Sequence, residues 1–286
     1  MKFSYFALII LTTLTLSCKT EKKVSEYFLA GNSAILYEGR TDQLNDSAVA
    51  LISSGSYAKM KVVGDSCTFF ISNGNQDHSY VAIEVNEDYK GRFLVDGNPI
   101  GLKLSSSDTS KIKIYKATEA TTGDIIFNKI LAENVLKAGD EEKPLIEFIG
   151  NSITCGMGAQ REEIPCDTAE WYDQHNAYLA YGPRAARTLE ADFRLSCVSG
   201  MGMYRNWNDE DQPVMPEVYH NLRLNADSSK TVSIDRKPAL VSIALGTNDL
   251  SLGDGEKERS DFSQEKFVEN YIGFVEKIFQ KFPETK

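Results

Sequence analysis

The spacing of apolar residues changes once along this chain, near residue 140. Before that point, short apolar or alternating runs such as AKMKVVG and CTFFIS are separated by Gly, Asn and Asp. Such runs at intervals of about 8–12 residues predict many short strands, and therefore a β-sandwich, over residues 28–140. Within this part of the chain, only LAENVLKA suggests a helical turn.

After residue 140 the chain alternates between strand-like and helix-like segments. LIEFIG, FRLSCVSG and ALVSIALGTND are compact apolar runs typical of buried strands. AYLAYGPRAARTLEAD predicts a helix interrupted at Gly182 and Pro183. SQEKFVENYIGFVEKIFQKF has apolar residues at helical spacing and Ser263 in the N-cap position. The alternation predicts an α/β domain with a parallel sheet over residues 144–286.

Three loops follow the predicted strands, GNSITCG, SGMGM and GTNDLS. In parallel sheets, chemistry gathers where the strands end. Ser152 comes directly after the first strand, Gly200 and Gly202 allow close approach of backbone N–H groups, and Asn248 carries an amide donor. Each residue alone is typical of a turn or cap. Together they indicate a serine nucleophile with oxyanion donors, the requirements of acyl transfer.

The three loops resemble the first three sequence blocks of the SGNH (GDSL-type) hydrolases. IEFIGNSITCGMG and YLAYGPRAAR, placed after a β-sandwich, resemble family two of the carbohydrate esterases. The resemblance implies a jelly-roll-like domain joined to a three-layer, flavodoxin-like SGNH domain that removes acetyl groups from plant polysaccharides such as xylan and glucomannan. It implies no metal and no organic cofactor.

The resemblance also assigns roles to individual residues. It implies Ser152 as the nucleophile, with its own N–H, the Gly200 N–H and the Asn248 side chain forming the oxyanion hole. Gly202 is the second choice for the middle donor.

An acetylated polysaccharide or oligosaccharide is the partner that this family implies. Tyr204 and Trp207 are candidates for an aromatic platform under a sugar. His175 lies in the loop region after the first block, where we expect a solvent-facing or sugar-contacting residue.

The sequence departs from the family pattern at the first block and at the base. Asn151 replaces the usual Asp of the first block and keeps its hydrogen-bonding capacity without the charge. The family's base is a His in a late D-x-x-H block, and this sequence contains no D-x-x-H; its histidines are His78, His175 and His220.

This departure has consequences for both activity and fold. We expect a C-terminally truncated catalytic domain that lacks its last strands, with impaired activity and an exposed apolar edge on its third strand. The alternative is a surface-anchored carbohydrate-binding lipoprotein, or a truncated remnant, without turnover.

The N-terminus resembles a bacterial lipoprotein signal. Lys2 precedes an apolar run that ends at Ser17 and Cys18. We therefore expect residues 1–17 to be a signal peptide, Cys18 to be lipidated, and residues 18–27 to form a tether. The expected location is the cell envelope, with membrane contact through the lipid anchor only.

Charge and cysteine content limit the other classes of function. A net charge of −10 argues against a nucleic-acid partner. No Cys or His spacing suits zinc, so a metal site is not expected. The four cysteines beyond Cys18 allow three disulfide connectivities, which the sequence leaves open.

Overall fold

The computed structural model describes residues 24–74, 78–105, 109–139, 142–166, 168–208, 212–233 and 236–286. The expected signal peptide and Cys18 lie outside these ranges. Strands β1–β12 form the first part of the chain: Glu26–Leu29, Leu36–Glu38, Thr41–Asn45, Ala48–Leu51, Tyr57–Val63, Ser66–Asn73, Tyr80–Val85, Asp88–Leu94, Ile100–Lys103, Thr109–Lys116, Ile125–Ala132 and Asn134–Leu136. The second part contains β13 Leu145–Gly150, α1 Ser152–Cys155, α2 Tyr181–Thr188, β14 Asp192–Cys197, α3 Met215–Val218, β15 Leu240–Ala244 and α4 Gln264–Lys281.

The first part is a β-sandwich, which confirms the predicted class. One six-stranded sheet has the order β3-β4-β11-β6-β9 with β1 paired to β11, and the other has the order β12-β5-β10-β7-β8 with β2 paired to β5. Within the described residues, all of these pairs are antiparallel. Inward-facing side chains such as Met60, Phe69 and Phe127 fill the space between the sheets.

The prediction of a helical turn at LAENVLKA is wrong. This segment contains the end of β11 and all of β12. At Glu133 the chain passes from β11 in one sheet to β12 in the other, so the apolar residues of LAENVLKA do not alternate as in a single strand.

The second part is the predicted parallel α/β unit, with a three-stranded sheet of order β14-β13-β15. Central strand β13 is buried along its whole length. The prediction that the helix is interrupted at Gly182 and Pro183 is wrong. Both residues lie in the first turn of α2. Proline is accommodated there because the first N–H groups of a helix have no intrahelical acceptor. A Cβ on Gly182 would lie 2.8 Å from the ring of Phe148, so the helix and the sheet approach closely at this point.

Helix α4 and strand β15 form the outer side of this domain. The Ser263 hydroxyl accepts a hydrogen bond from the Lys266 N–H at 3.3 Å, which confirms the predicted N-cap. Strand β15 is at the edge of the sheet, as expected. In the described chain, backbone bonds to its outer edge come from Lys286, which accepts from the Val241 N–H at 2.9 Å and donates to the Ala239 carbonyl at 3.2 Å.

A buried arginine joins the two domains. The Arg40 guanidinium donates to the Asn221 and Tyr219 carbonyls at 2.8 and 2.7 Å and to the Ser196 hydroxyl at 3.0 Å. Burial lowers the pKa of Arg40 to about 10, opposed by the nearby carboxylate of Glu147. These bonds fix the sandwich against the parallel sheet. Separately, none of the helices in the described ranges is long and apolar enough to cross a bilayer.

Candidate active site

The three strands of the parallel sheet end side by side. Gly150 at the end of β13 is in register with Cys197 of β14 and with Ala244 of β15. The loops that follow therefore leave the sheet at one edge, as the sequence predicted from strand direction. This edge brings together the chain segments that carry Ser152, Gly200 and Asn248.

Ser152 is the first residue of α1. The Asn151 side chain caps this helix by accepting a hydrogen bond from the Ile153 N–H at 3.3 Å, so the amide does what a carboxylate would do here. Gly150 is required at the turn, since a Cβ there would lie 2.0 Å from the Thr154 hydroxyl oxygen. The Ser152 side chain is half-buried, and no described residue hydrogen bonds to its hydroxyl.

Two backbone N–H groups at this edge have no acceptor among the described residues. They belong to Ser152, at the N-terminus of α1, and to Gly200. Gly200 has φ +78°, a left-handed conformation that favours glycine. Its carbonyl accepts from the Trp207 N–H at 2.7 Å, which holds the loop from the other side. Free N–H groups in fixed loops are what an oxyanion hole requires.

Gly202 is engaged in packing. Its N–H donates to the Asn206 side chain at 3.1 Å. A Cβ at this position would lie 2.0 Å from the Arg205 carbonyl oxygen, so only glycine fits. These contacts favour Gly200 over Gly202 as the middle donor.

The Asn248 side chain links the third loop to the second. It is 7% exposed, and its amide nitrogen donates to the Met201 carbonyl at 2.7 Å. An amide nitrogen carries two hydrogens, so one remains to point at a ligand. This contact orients the amide beside the Gly200 loop.

Asp249, the next residue, organises the second loop. It is fully buried, and its carboxylate accepts from the backbone N–H groups of Met203, Tyr204 and Arg205 at 2.9, 2.8 and 3.2 Å. In the sequence this residue is one of the polar residues of the loop GTNDLS. Its partners lie 44 to 46 residues away, so local spacing carried no signal for them.

The two candidate sugar-contacting aromatics have different environments. The Tyr204 ring packs edge-on against Phe262, and its hydroxyl accepts from the Ser263 N–H at 2.9 Å. Trp207 is 42% exposed and faces a cleft of about 510 Å³. Thr121 of the sandwich lines this cleft as well, together with Val198, Ser199, Gly200, Met201, Asn206, Asn208, Gln212, Pro213, Asn225, Ala226 and Asp227. Trp207 is therefore the aromatic that a sugar can reach.

The structure contradicts the expectation that His175 faces solvent or contacts a sugar. Its ring is fully buried, so it neither faces solvent nor is available to contact a sugar. Its Nδ1 donates to the Trp171 carbonyl at 3.2 Å, and its Nε2 lies 3.2 Å from the Ser199 hydroxyl. No local sequence pattern indicates this partner, which lies on the loop after β14.

The other two histidines lie in contacts of their own. The Nδ1 atom of His78 is 3.0 Å from a carboxylate oxygen of Asp173. The Nδ1 atom of His220 is 3.0 Å from the Lys281 ammonium group, and burial followed by that positive charge lowers the pKa of His220. None of the three histidines hydrogen bonds to Ser152 in the described structure.

A disulfide connects two of the site loops. Of the pairings left open by the sequence, the structure has Cys155 bonded to Cys197, with Cα atoms 5.6 Å apart. Cys67 and Cys166 are free. The bond joins α1, which carries Ser152, to the end of the strand that precedes Gly200.

Comparison with known proteins links both domains to one family. Residues 37–138 match the family model for the N-terminal domain of carbohydrate esterase 2. The chain is 28% identical over 281 residues to the cellulase/esterase CelE of Acetivibrio thermocellus, covering 89% of this chain and 30% of that protein. It is 31% identical over 173 residues to an acetylxylan esterase/glucomannan deacetylase of Cellvibrio japonicus, covering 59% of this chain and 48% of that protein. The chain thus spans less than half the length of either relative.

Among solved structures, the fold resembles that of a family two carbohydrate esterase from Clostridium thermocellum in complex with cellohexaose. The TM-score is 0.75 at 25% identity, with 88% of this chain and 75% of that chain covered. At this coverage the similarity extends over both the sandwich and the parallel α/β domain.

Proposed function

We propose that this chain is a carbohydrate esterase of family 2, a serine enzyme acting on acetylated polysaccharide. Ser152 attacks the carbonyl carbon of an acetyl ester, and the sugar oxygen leaves with a proton. Water then attacks the acetyl-serine and releases acetate.

One observation carries this proposal: a half-buried serine and two unpaired N–H groups belong to loops that meet at one end of a parallel sheet. The N–H groups of Ser152 and Gly200, with the second hydrogen of the Asn248 amide, supply donors for the negative oxygen of the tetrahedral intermediate. Stabilising that charge is usually the largest contribution to acyl-transfer catalysis.

The remaining requirement of a serine nucleophile is a general base. No described group forms a hydrogen bond with the Ser152 hydroxyl. A serine hydroxyl needs a general base to become an effective nucleophile. Activated acetyl esters, whose leaving group needs less assistance, are therefore included among the substrates of the test.

Release of acetate from acetylated xylan and glucomannan, and of p-nitrophenol from p-nitrophenyl acetate, tests the proposal. The comparison is between the unmodified protein and Ser152→Ala. Ser251→Ala is the matched control, because the Ser251 hydroxyl lies in the third loop and accepts from the Gly253 N–H. Equal rates for the unmodified protein and Ser152→Ala would rule out Ser152-dependent esterase activity.

A second candidate function is carbohydrate binding without turnover. The exposed Trp207 and the unpartnered Ser152 hydroxyl favour it, because an aromatic cleft retains affinity when the base is missing. Calorimetry with cello- and xylo-oligosaccharides separates the two functions. Binding that depends on Trp207, with no Ser152-dependent acetate release, would support this candidate over the esterase.

We also propose that the mature protein is attached to the cell envelope through a lipid on Cys18. The support is the sequence pattern of residues 1–18. Metabolic labelling with a fatty acid in a bacterial host tests it, with Cys18→Ser as the control. Label retained in Cys18→Ser would contradict the assignment.

A further inference from the structure

We propose that Glu119, a residue of the β-sandwich, is a positioning residue that holds the oxyanion loop of the catalytic domain. The oxyanion loop is defined here as residues 198–202. This role rests on the proposed function, since it concerns the donor that Gly200 supplies. The first domain would then complete the active site of the second.

Glu119 reaches the catalytic domain on a fixed backbone. Strand β10 ends at Lys116, and the next residue, Ala117, donates to the Tyr80 carbonyl and accepts from the Ala177 N–H at 2.8 and 2.9 Å. The second of these bonds crosses between the domains. Glu119 itself is extended, with φ −87° and ψ 176°, and fully buried. Its carboxylate therefore has a defined position at the interface.

The carboxylate binds the loop at two atoms of one residue. One oxygen of Glu119 accepts from the Ser199 N–H at 2.8 Å and from the Ser199 hydroxyl at 2.5 Å. The other oxygen accepts from the Thr121 hydroxyl. Bonds of this kind to an ionised acceptor are stronger than neutral ones.

His175 supports the carboxylate from the catalytic side. Because the Trp171 carbonyl can only accept, the Nδ1 atom of His175 carries a hydrogen. The opposite nitrogen, Nε2, lies 3.5 Å from a Glu119 oxygen. Burial would raise the pKa of Glu119, but hydrogen bonding and charge from His175, with hydrogen bonds from Ser199 and Thr121, outweigh it and lower that pKa. The group is therefore held as a carboxylate.

The connection to catalysis is the peptide that joins Ser199 to Gly200. Glu119 fixes both the N–H and the side chain of Ser199, and so holds in place the residue from which the next peptide group extends. That peptide carries the Gly200 N–H, which has no acceptor in the described structure. On the far side, the Trp207 N–H holds the Gly200 carbonyl at 2.7 Å. With Glu119 in place, the donor is anchored on both sides before substrate arrives.

Ser199 and His175 could also be considered as a second nucleophile and base, since their Oγ and Nε2 atoms are 3.2 Å apart. The contacts favour a holding role. The Ser199 hydroxyl donates to the Glu119 carboxylate, and both of its partners are fully buried, so the hydroxyl is held between two buried side chains.

The test compares Glu119→Gln with Ser53→Ala. Glutamine keeps the size of the side chain but has one acceptor oxygen, so it loses part of the contact with Ser199 and Thr121. Ser53→Ala is the matched control, because the buried Ser53 hydroxyl crosses the same interface to the Leu195 carbonyl, away from the oxyanion loop. Glu119→Ala is the more severe variant, and Glu119→Gln keeps the test valid if the alanine variant does not fold.

The first readout is amide hydrogen exchange of residues 198–202 by mass spectrometry. We expect exchange to be faster by about tenfold or more in Glu119→Gln and unchanged in Ser53→Ala. Unchanged exchange in a folded Glu119→Gln variant would overturn the proposal. This readout needs no turnover, so it gives an answer even if the protein shows no Ser152-dependent activity and the proposed function fails.

The second readout is the hydrolysis of p-nitrophenyl acetate. We expect kcat to fall about 10- to 100-fold in Glu119→Gln with KM changed by less than about twofold, because the lost contact acts on the transition state. Faster loop exchange with an unchanged kcat would contradict the link to the oxyanion donor. Ser199→Ala should lose less activity than Glu119→Gln, since its N–H still binds Glu119. A loss as complete as in Ser152→Ala would identify Ser199 as a nucleophile and overturn the holding role.

Discussion

Cys155 and Cys197 form a disulfide that joins the helix beginning at Ser152 to the strand leading to Gly200. Both cysteines are fully buried. The segments that carry Ser152 and Gly200 are thus connected covalently as well as through the sheet. Glu119 adds a third connection, from the other domain.

The disulfide closes a loop with a sequence separation of 42 residues, and its loss should destabilise the fold. We expect the double variant Cys155→Ala/Cys197→Ala to lose about 4 kcal/mol of unfolding free energy, because the unfolded chain regains the entropy of that loop. Urea denaturation followed by circular dichroism measures the change. Cys166→Ser is the control, since Cys166 is free and exposed. A double variant as stable as the control would contradict this role of the bond.

Asp249 accepts three backbone N–H groups, so its removal leaves buried donors without partners. Asp249→Ala should lower the unfolding free energy by about 3 kcal/mol, and Asp249→Asn by about half as much because one acceptor oxygen remains. Denaturant unfolding of the three proteins checks the order. If both variants were as stable as the unmodified protein, the carboxylate would not be what organises the second loop.

Lys116 predicts a pH dependence of stability. Burial lowers its pKa to about 8 in the folded protein, against about 10.4 in an unfolded chain. The unfolded state therefore binds more protons between these values, and stability rises as the pH increases from about 8 to 10. Below about pH 8 Lys116 is protonated in both the folded and the unfolded state. The free-energy cost of burying its charge is then present in full.

The variant Lys116→Met isolates this effect from other groups that titrate in the same range. We expect Lys116→Met to gain stability relative to the unmodified protein at pH 7, and the difference to shrink by about 2 kcal/mol at pH 10. Denaturant unfolding at the two pH values measures it. A difference independent of pH would show that Lys116 does not titrate in this range.

Parts of the site could be predicted from the sequence because parallel strands place their following loops at one edge. Ser152, Gly200 and Asn248 each come directly after a strand, so register alone brings their loops together. Ser263 was identifiable as an N-cap for a similar reason, since a cap contacts only the next turn of its own helix.

Other features depend on contacts that no local pattern encodes. Glu119 and Ser199 are 80 residues apart and belong to different domains. His175 lies in a polar loop, which suggests exposure, yet packing against the sandwich buries it. The helical turn predicted at LAENVLKA is wrong because the segment connects β11 and β12, which pair in different sheets, and local spacing does not encode that pairing. The pairing of Cys155 with Cys197 depends on α1 lying close to β14. The spacing of the cysteines along the chain does not show this proximity, so the pairing could not be predicted.

In the proposed reaction Ser152 carries the acetyl group, and trapping the acetyl-enzyme tests this role without relying on a change in rate. The protein is mixed with p-nitrophenyl acetate, quenched in acid during the first turnovers and digested, and the peptide containing residue 152 is analysed by mass spectrometry. We predict one acetyl group on Ser152 in the unmodified protein and in Ser251→Ala, and none at this position in Ser152→Ala. An unacetylated Ser152 in protein that releases p-nitrophenol, or acetylation confined to another side chain, would contradict the account.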